Sequence, residues 1–157
     1  MGAMRAKNNR STKRSGERGV ALLEFAIGAT VFLSAVFGVL EVGRLLWAHN
    51  SLVDATRRAA RYAVNQGMSS QAQTEAKNMA VYGNAAGTGQ PLVQDLATSQ
   101  VVITYQNFEL GGGTVTVKIE NYDFNFVLPL VSQKVAMPAY QTSLTGENAG
   151  FVPTTIP

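Results

Sequence analysis

The residue types that most often perform enzymatic chemistry are few and widely spaced in this sequence. His49 is the only histidine and there is no cysteine, which excludes two-histidine sites, thiolate chemistry and cysteine-ligated zinc. No HExxH or GxSxG motif and no paired-carboxylate arrangement is present. The acids available outside the helical segments are scattered: Asp95, Glu109, Glu120, Asp123 and Glu147. The sequence therefore predicts no active site, no metal site and no cofactor.

The three consecutive glycines at 111–113 do not form a phosphate-binding motif. A phosphate loop continues into Lys-Ser or Lys-Thr and opens a helix, whereas Thr114 follows here and a strand-like pattern begins. We expect residues 109–113 to be a hairpin connection instead.

One carboxylate, Glu24, lies within a long apolar segment, where a charged side chain needs an explanation. It is the single charged residue within the 21 residues from Val20 to Leu40, and an apolar helix needs about 20 residues to cross the hydrocarbon core. A carboxylate at the centre of a bilayer costs about 3 kcal/mol and usually has a partner. Glu24 lies five residues into the run, so it either reaches the headgroups or has a specific role.

The charge distribution orients this membrane segment. Residues 1–19 contain six Lys or Arg and one Glu, a net charge of +5, whereas the remaining seven Lys or Arg and nine Asp or Glu give −2. The positive-inside rule predicts a cytoplasmic leader at 1–19 and an exported remainder. A cleavable secretory signal has a shorter apolar region and a small-residue cleavage site, neither of which is found here. Hydropathy alone does not exclude a plain signal-anchor segment.

Gly19 followed by Val20-Ala21-Leu22-Leu23-Glu24 resembles a type IV prepilin junction, and the wider pattern resembles the TadE-like branch of the tight-adherence (Tad, or Flp) pilus system. The wider match includes an acid-x-Gly-Arg stretch and then an Ala- and Arg-rich helix. A β-strand and an apolar Leu-Pro turn follow near the C-terminus. These features correspond to 41–44, 54–64, 115–119 and 127–130.

The resemblance implies a pseudopilin, or minor pilin, that a prepilin peptidase cuts after Gly19. Val20 then becomes the new N-terminus and Glu24 the acid at the fifth position of the mature chain. The implied partners are the prepilin peptidase, sibling pseudopilins, the major pilin, the inner-membrane assembly platform and membrane lipid. The implied location is the bacterial inner membrane, which the chain crosses once, with the C-terminal domain in the periplasm. The resemblance leaves open whether the protein is also incorporated into a surface pilus. The alternative function is an uncleaved, membrane-anchored periplasmic binding domain.

Helix packing is the second feature predicted for the apolar segment. Four small residues recur every four positions on one face, a spacing that lets helices approach closely in lipid: Ala26, Thr30, Ser34 and Gly38. Beyond the membrane the helix continues to about Asn65, with a stripe formed by Leu45, Ala48, Leu52, Ala55, Ala59 and Tyr62.

Polar groups on this extension have ordinary explanations. A basic cluster is formed by Arg57, Arg58 and Arg61. Such a cluster on a helix is typical of a solvated face or of a contact with a partner, so we expect no binding of nucleic acid. Asp54 stands four residues before Arg58, a spacing that predicts a weak surface ion pair. His49, just beyond the membrane span, is predicted to be solvent-facing or interfacial.

The predicted fold class is α+β: a long N-terminal transmembrane and amphipathic helix, a second short helix and a small three-stranded antiparallel sheet. The second helix is predicted to have a capping box at Ser70 to Gln73 and to end at Gly83, before a loop to residue 99. The strands are predicted at 101–105, 114–120 and 134–142, with Pro138 favouring an edge or a bulge. The predicted segments are a leader at 1–19, the helix at 20–66 with its membrane span at 20–40, an exported domain at 67–144 and a flexible tail at 145–157.

Overall fold

The computed structural model describes residues 11–107, 113–127 and 133–146, with side chains from residue 19 onward. Helix α1 extends from Ser11 to Gln66 and helix α2 from Ser70 to Tyr82. A 3₁₀ turn at Thr98–Gln100 leads into strand β1, Val101–Gln106. The remaining strands are β2, Thr114–Ile119, β3, Asp123–Asn125, β4, Lys134–Ala136, and β5, Tyr140–Thr145. The chain divides into two compact units between Val42 and Gly43.

In the first unit, the apolar side chains of α1 from Val20 to Leu40 remain exposed. Phe25 is 73% exposed and Val20 66%. Within the described residues, α1 is the one helix long and apolar enough to cross a membrane. Because apolar side chains are stable when removed from water, this surface is suited to lipid or to other apolar helices.

In the second unit, the C-terminal part of α1 supplies one wall of the core. The predicted stripe is confirmed, since Ala48, Leu52, Ala55 and Ala59 are buried while Leu45 and Tyr62 are half-buried. Leu52 is completely buried, which typically contributes about 2 kcal/mol. The predicted end of the helix near Asn65 is also confirmed.

Helix α2 is held at both ends by local chemistry. Its N-cap is Ser69, whose hydroxyl oxygen accepts a 3.1 Å hydrogen bond from the Ala72 amide, so the predicted cap at Ser70 was wrong by one residue. The predicted stop is confirmed, because Gly83 has φ +74°, a backbone conformation that glycine adopts without strain. A Cβ at Gly83 would also lie 2.9 Å from the Leu92 side chain.

The three-stranded antiparallel sheet has the order β1-β2-β5, and β2 lies in the centre. The predicted alternation in β2 is confirmed: Val115, Val117 and Ile119 are buried, and the intervening residues are half-buried. These three side chains pack with the core stripe of α1. The sheet and the C-terminal part of α1 therefore share one core.

The predicted third strand is confirmed as β5, but its predicted bounds of 134–142 were wrong, because this segment forms parts of two strands in different sheets. β4 pairs with β3 in a two-stranded sheet, whereas β5 pairs with β2. Pro138 lies between β4 and β5, and it has no amide hydrogen to donate to a ladder. The predicted hairpin residues 109–112, residues 128–130 of the Leu-Pro turn and the tail from 147 lie outside the described residues.

Candidate functional site

The predicted processing residues lie on one exposed stretch of α1. Gly19 has an open environment, where an added Cβ would meet no atom within 4 Å. Val20 and Glu24 are four positions apart, which places them on the same side of the helix. Both are exposed. A backbone amine created at Val20 would therefore start on the helix face that carries the Glu24 carboxylate.

The small-residue stripe follows on the same helix. The Thr30 hydroxyl donates a 2.8 Å hydrogen bond to the Ala26 carbonyl, and the Ser34 hydroxyl donates one of 2.8 Å to the Thr30 carbonyl. Both hydroxyls are therefore satisfied within the helix itself, which lowers the cost of placing them in an apolar environment. The stripe therefore consists of short side chains, and both of its hydroxyl groups already donate to carbonyls of the same helix.

The basic cluster on the C-terminal part of α1 is arranged differently from the prediction. Asp54 forms its ion pair with Arg57, at 3.7 Å between Oδ1 and Nη1, and not with Arg58. The Arg57 and Asp54 side chains are each about 60% exposed, so this pair contributes little to stability. The buried Nε of Arg58 has no hydrogen-bond partner among the described residues.

His49 is exposed, as predicted, but its ring also has a specific neighbour. Its Nδ1 lies 2.9 Å from the Tyr140 hydroxyl, and the two rings meet edge to face with centroids 5.2 Å apart. Burial raises the pKa of Tyr140 above its ordinary value. The pair connects α1 to the first residue of β5, a connection that no sequence pattern indicated.

The scattered acids that the structure describes do not form a cluster. Among residues 11–107, 113–127 and 133–146, no group of three or more His, Cys, Asp or Glu side chains could hold a metal ion. Asp95 accepts a hydrogen bond from Asn125, and Glu120 forms a 2.6 Å ion pair with Lys118. Glu109 and Glu147 lie outside the described residues.

Sequence reasoning missed a small pocket in the second unit. It has a cavity volume of about 80 Å³, and its lining includes Arg44, Trp47, Asp95, Tyr122 and Phe124. The Arg44 guanidinium carbon lies 5.3 Å from the centroid of the Phe124 ring, within the range of a cation–π interaction. The only available signal was the Gly-Arg-x-x-Trp spacing beyond the apolar run, which does not reveal that residues 93–95 and 122–125 fold against it.

The fold and the exposed segment define a class: a small α+β protein carried on a long apolar N-terminal helix, as in a membrane-anchored protein. The family described as TadE-like protein matches residues 19–61. The resemblance predicted from the sequence is confirmed over this segment. No curated protein and no solved structure matches the chain.

Proposed function

We propose that this protein is a pseudopilin, or minor pilin, that a prepilin peptidase cuts between Gly19 and Val20 and that acts in the assembly of a Tad-type pilus. The observation that carries the proposal is the start of the TadE-like match, which falls at Gly19, the last residue of the basic leader. Cleavage there removes the charged leader and leaves the apolar helix intact.

The proposed topology follows from charge and hydropathy. Residues 1–19 remain in the cytoplasm, 20–40 cross the inner membrane, and the domain from 67 to 144 lies in the periplasm. The positive-inside rule and the exposed apolar surface of α1 support this arrangement.

The proposed work of the protein is assembly and not catalysis. Its apolar helix packs against sibling pseudopilins and the major pilin, and the assembly platform of the inner membrane moves it. The small-residue stripe from Ala26 to Gly38 supports close helix packing, because its hydroxyls are satisfied internally and its side chains are short.

The first test is proteolytic processing. The full chain is expressed with and without a Tad-type prepilin peptidase, and its intact mass and N-terminal sequence are measured. We expect a peptidase-dependent start at Val20, which Gly19→Val abolishes because a branched side chain obstructs the scissile position.

Gly28→Val is the matched control. Gly28 lies in the same helix and, like Gly19, has no atom within 4 Å of an added Cβ. The control should still be cut at Val20. A wild-type chain that keeps residues 5–19 beside an active peptidase would contradict the proposal and favour an uncleaved, membrane-anchored binding domain.

A further inference from the structure

Strand β5 forms one edge of the three-stranded sheet. β2 pairs with one side of β5, whereas β1, at the opposite edge of the sheet, lies against α2. An unpaired edge presents a row of amide and carbonyl groups that can pair with another strand. The outer side of β5 is therefore the place where a further strand can be added to this sheet.

The hydrogen-bond pattern between β2 and β5 identifies the open groups. The Gly146 amide donates a 2.7 Å hydrogen bond to the Gly113 carbonyl, in the register that joins Thr114 to Thr145. Hydrogen-bonded and non-hydrogen-bonded positions alternate along an antiparallel pair. The backbone groups that point away from β2 are therefore those of Gln141, Ser143 and Thr145. Within the described part of the chain, no backbone hydrogen bond reaches these groups.

β5 has none of the residues that usually keep an open edge unpaired. Open edges commonly carry charged side chains, especially lysine, or a proline. The six residues of β5, Tyr-Gln-Thr-Ser-Leu-Thr, include neither a charge nor a proline. The three residues with outward backbone groups have neutral side chains on the exposed face of the sheet. This composition favours pairing with an uncharged strand.

Beside this edge, α1 has an apolar surface that is partly covered. The Thr56 hydroxyl of α1 lies 2.8 Å from the Thr142 hydroxyl of β5, so this side of the helix faces β5. Val53 and Val64 lie three residues before and eight residues after Thr56, which places them on the same side. Both are half-buried and pack against the core. A strand added to β5 would lie beside them and would cover them further.

The segment that follows β5 along the chain has the composition of such a strand. Residues 147–157 come after Gly146, and Asn148 and Gly150 are typical turn residues. Residues 151–156 are Phe-Val-Pro-Thr-Thr-Ile, of which four are β-branched and none is charged. A connection at 147–150 has an ordinary length for a β-hairpin. The chain itself therefore supplies a strand within reach of the open edge.

Pro153 selects the register of this hairpin. Proline has no amide hydrogen, so it cannot lie opposite a residue of β5 whose backbone groups point outward. A connection at 147–150 places Pro153 opposite Leu144, whose backbone groups bind β2. The same register places a residue with an amide opposite each open position: Val152 opposite Thr145, Thr154 opposite Ser143 and Ile156 opposite Gln141.

We propose that residues 151–156 bind along the open edge of β5 as a fourth, antiparallel strand of the sheet. Residues that lie opposite each other share a face of the sheet, so Phe151 and Pro153 face α1 and contact the surface of Val53 and Val64. This pairing takes the place of the flexible tail predicted at 145–157. It closes the edge against strands of other chains, and it is independent of cleavage after Gly19.

Amide hydrogen exchange, resolved to single residues, tests the pairing in the full chain in mild detergent. We expect the amides of Gln141, Ser143 and Thr145 to exchange at least about tenfold more slowly than free peptide amides, because each is hydrogen-bonded to the added strand. The amides of Thr142 and Leu144, which bind β2, are the internal reference for a folded sheet.

Thr154→Pro is the decisive variant. It removes the amide that donates to the Ser143 carbonyl, so exchange of the three open amides should become about tenfold faster while the two reference amides stay protected. Thr155→Pro is the matched control. The same substitution falls one residue later, where the amide points away from β5, and it should leave the exchange of the open amides unchanged.

Four results would overturn the proposal. The first is exchange of the open amides in the wild type at the rate of free peptide amides, and the second is protection that survives Thr154→Pro. The third is an equal effect of the two proline substitutions. The fourth is protection that increases with protein concentration, which would show that a second copy covers the edge.

Discussion

At the scale of single residues, the C-terminal part of α1 is tied to its surroundings by hydroxyl groups. Thr56 is 1% exposed; its hydroxyl donates to the Val53 carbonyl and lies 2.8 Å from the Thr142 hydroxyl of β5. The Tyr62 hydroxyl donates a 2.6 Å hydrogen bond to Glu75 of α2. Buried hydroxyls that lack such partners would destabilise the fold, so these contacts help to select one register between the elements.

The Tyr62–Glu75 contact has a predictable pH dependence. The Tyr62 hydrogen bond, and secondly that from Gln71, lowers the pKa of Glu75, and the same contact raises the pKa of Tyr62. The carboxylate therefore contributes stability that is complete above its ordinary pKa and is lost as the pH falls through its lowered value. The hydroxyl contributes stability that is complete below the ordinary tyrosine pKa and is lost as the pH rises through its raised value.

We predict that Tyr62→Phe lowers the melting temperature at neutral pH and that the difference from wild type shrinks as the pH falls from the ordinary pKa of a glutamate through the lowered pKa of Glu75. Thermal unfolding of the full chain in mild detergent, followed by near-ultraviolet circular dichroism, measures this. Tyr82→Phe is the control, since that hydroxyl has no hydrogen-bond partner in the described part of the chain. A difference that stays constant between pH 7 and pH 3 would contradict the assigned cause.

At the scale of elements, helix α2 shows how a correct prediction of a helix can still misplace its cap. Ser69, Ser70 and Gln73 all fit cap patterns, and the choice depends on which residue leaves the extended conformation first. Ser69 has φ −65° and ψ 150°, so it is extended and its hydroxyl reaches the Ala72 amide. Ser70 is already helical and contributes its carbonyl to the Thr74 hydroxyl.

We predict that Ser69→Ala destabilises the second unit by about 1 kcal/mol, because one amide of the first helical turn loses its acceptor. The melting temperature of the full chain should fall by about 4 °C. Ser70→Ala is the matched control and should have little effect, since its hydroxyl does not cap the helix. Equal effects of the two substitutions would disprove the assignment of the cap.

The strands show a second limit on what can be predicted from the sequence. β1 and β2 alternate over six residues each, and their antiparallel register joins Val101 to Ile119 and Gln106 to Thr114. β3 and β4 have only three residues each, and every residue of β4 is exposed. So short a segment has no periodicity, and its pairing depends on the backbone bonds on either side of it. The Met137 amide supplies one of them, a 2.8 Å hydrogen bond to the Tyr122 carbonyl.

At the scale of the whole molecule, the chain contains two kinds of apolar surface. The second unit buries its apolar side chains in one cluster that α1, α2 and the three-stranded sheet share. The segment from Val20 to Leu40 leaves its apolar side chains exposed. A folded water-soluble domain rarely leaves so much apolar surface open, so this segment requires lipid or other helices.

The proposed assembly role of this segment should depend on Glu24. We predict that Glu24→Gln leaves membrane insertion unchanged but lowers incorporation into pili several-fold, because the neutral side chain cannot pair with the amine that the proposed cleavage creates at Val20. The desolvation of a buried ion pair roughly cancels its attraction, so loss of this pair should affect the register of packed helices more than membrane insertion. Alkaline extraction of membranes measures insertion, and the sheared pilus fraction measures assembly.

Glu120→Gln is the control for this experiment, since it removes a carboxylate that is paired with Lys118 outside the apolar segment. It should insert and assemble like the wild type. Normal pilus incorporation of the Glu24→Gln protein would remove the assigned role of the carboxylate.

The sequence by itself determined the features that depend on neighbours along the chain. The apolar run, the stripe from Leu45 to Tyr62, the second helix and the alternation of β2 are periodic over several turns or residues, and the structure has all of them. The TadE-like resemblance could be predicted as well, because it depends on an ordered series of residues along the chain that begins at Gly19.

Only the tertiary structure decided the features that join distant parts of the chain. The pairing of β5 with β2, the Thr56–Thr142 contact and the pocket of Arg44, Trp47 and Asp95 each connect residues more than 20 positions apart. The second sheet joins two strands of only three residues, whose partners lie 9 to 13 positions apart. Local propensity does not encode such contacts. They form because burying the shared core brings these side chains together and leaves each polar group to find a partner nearby.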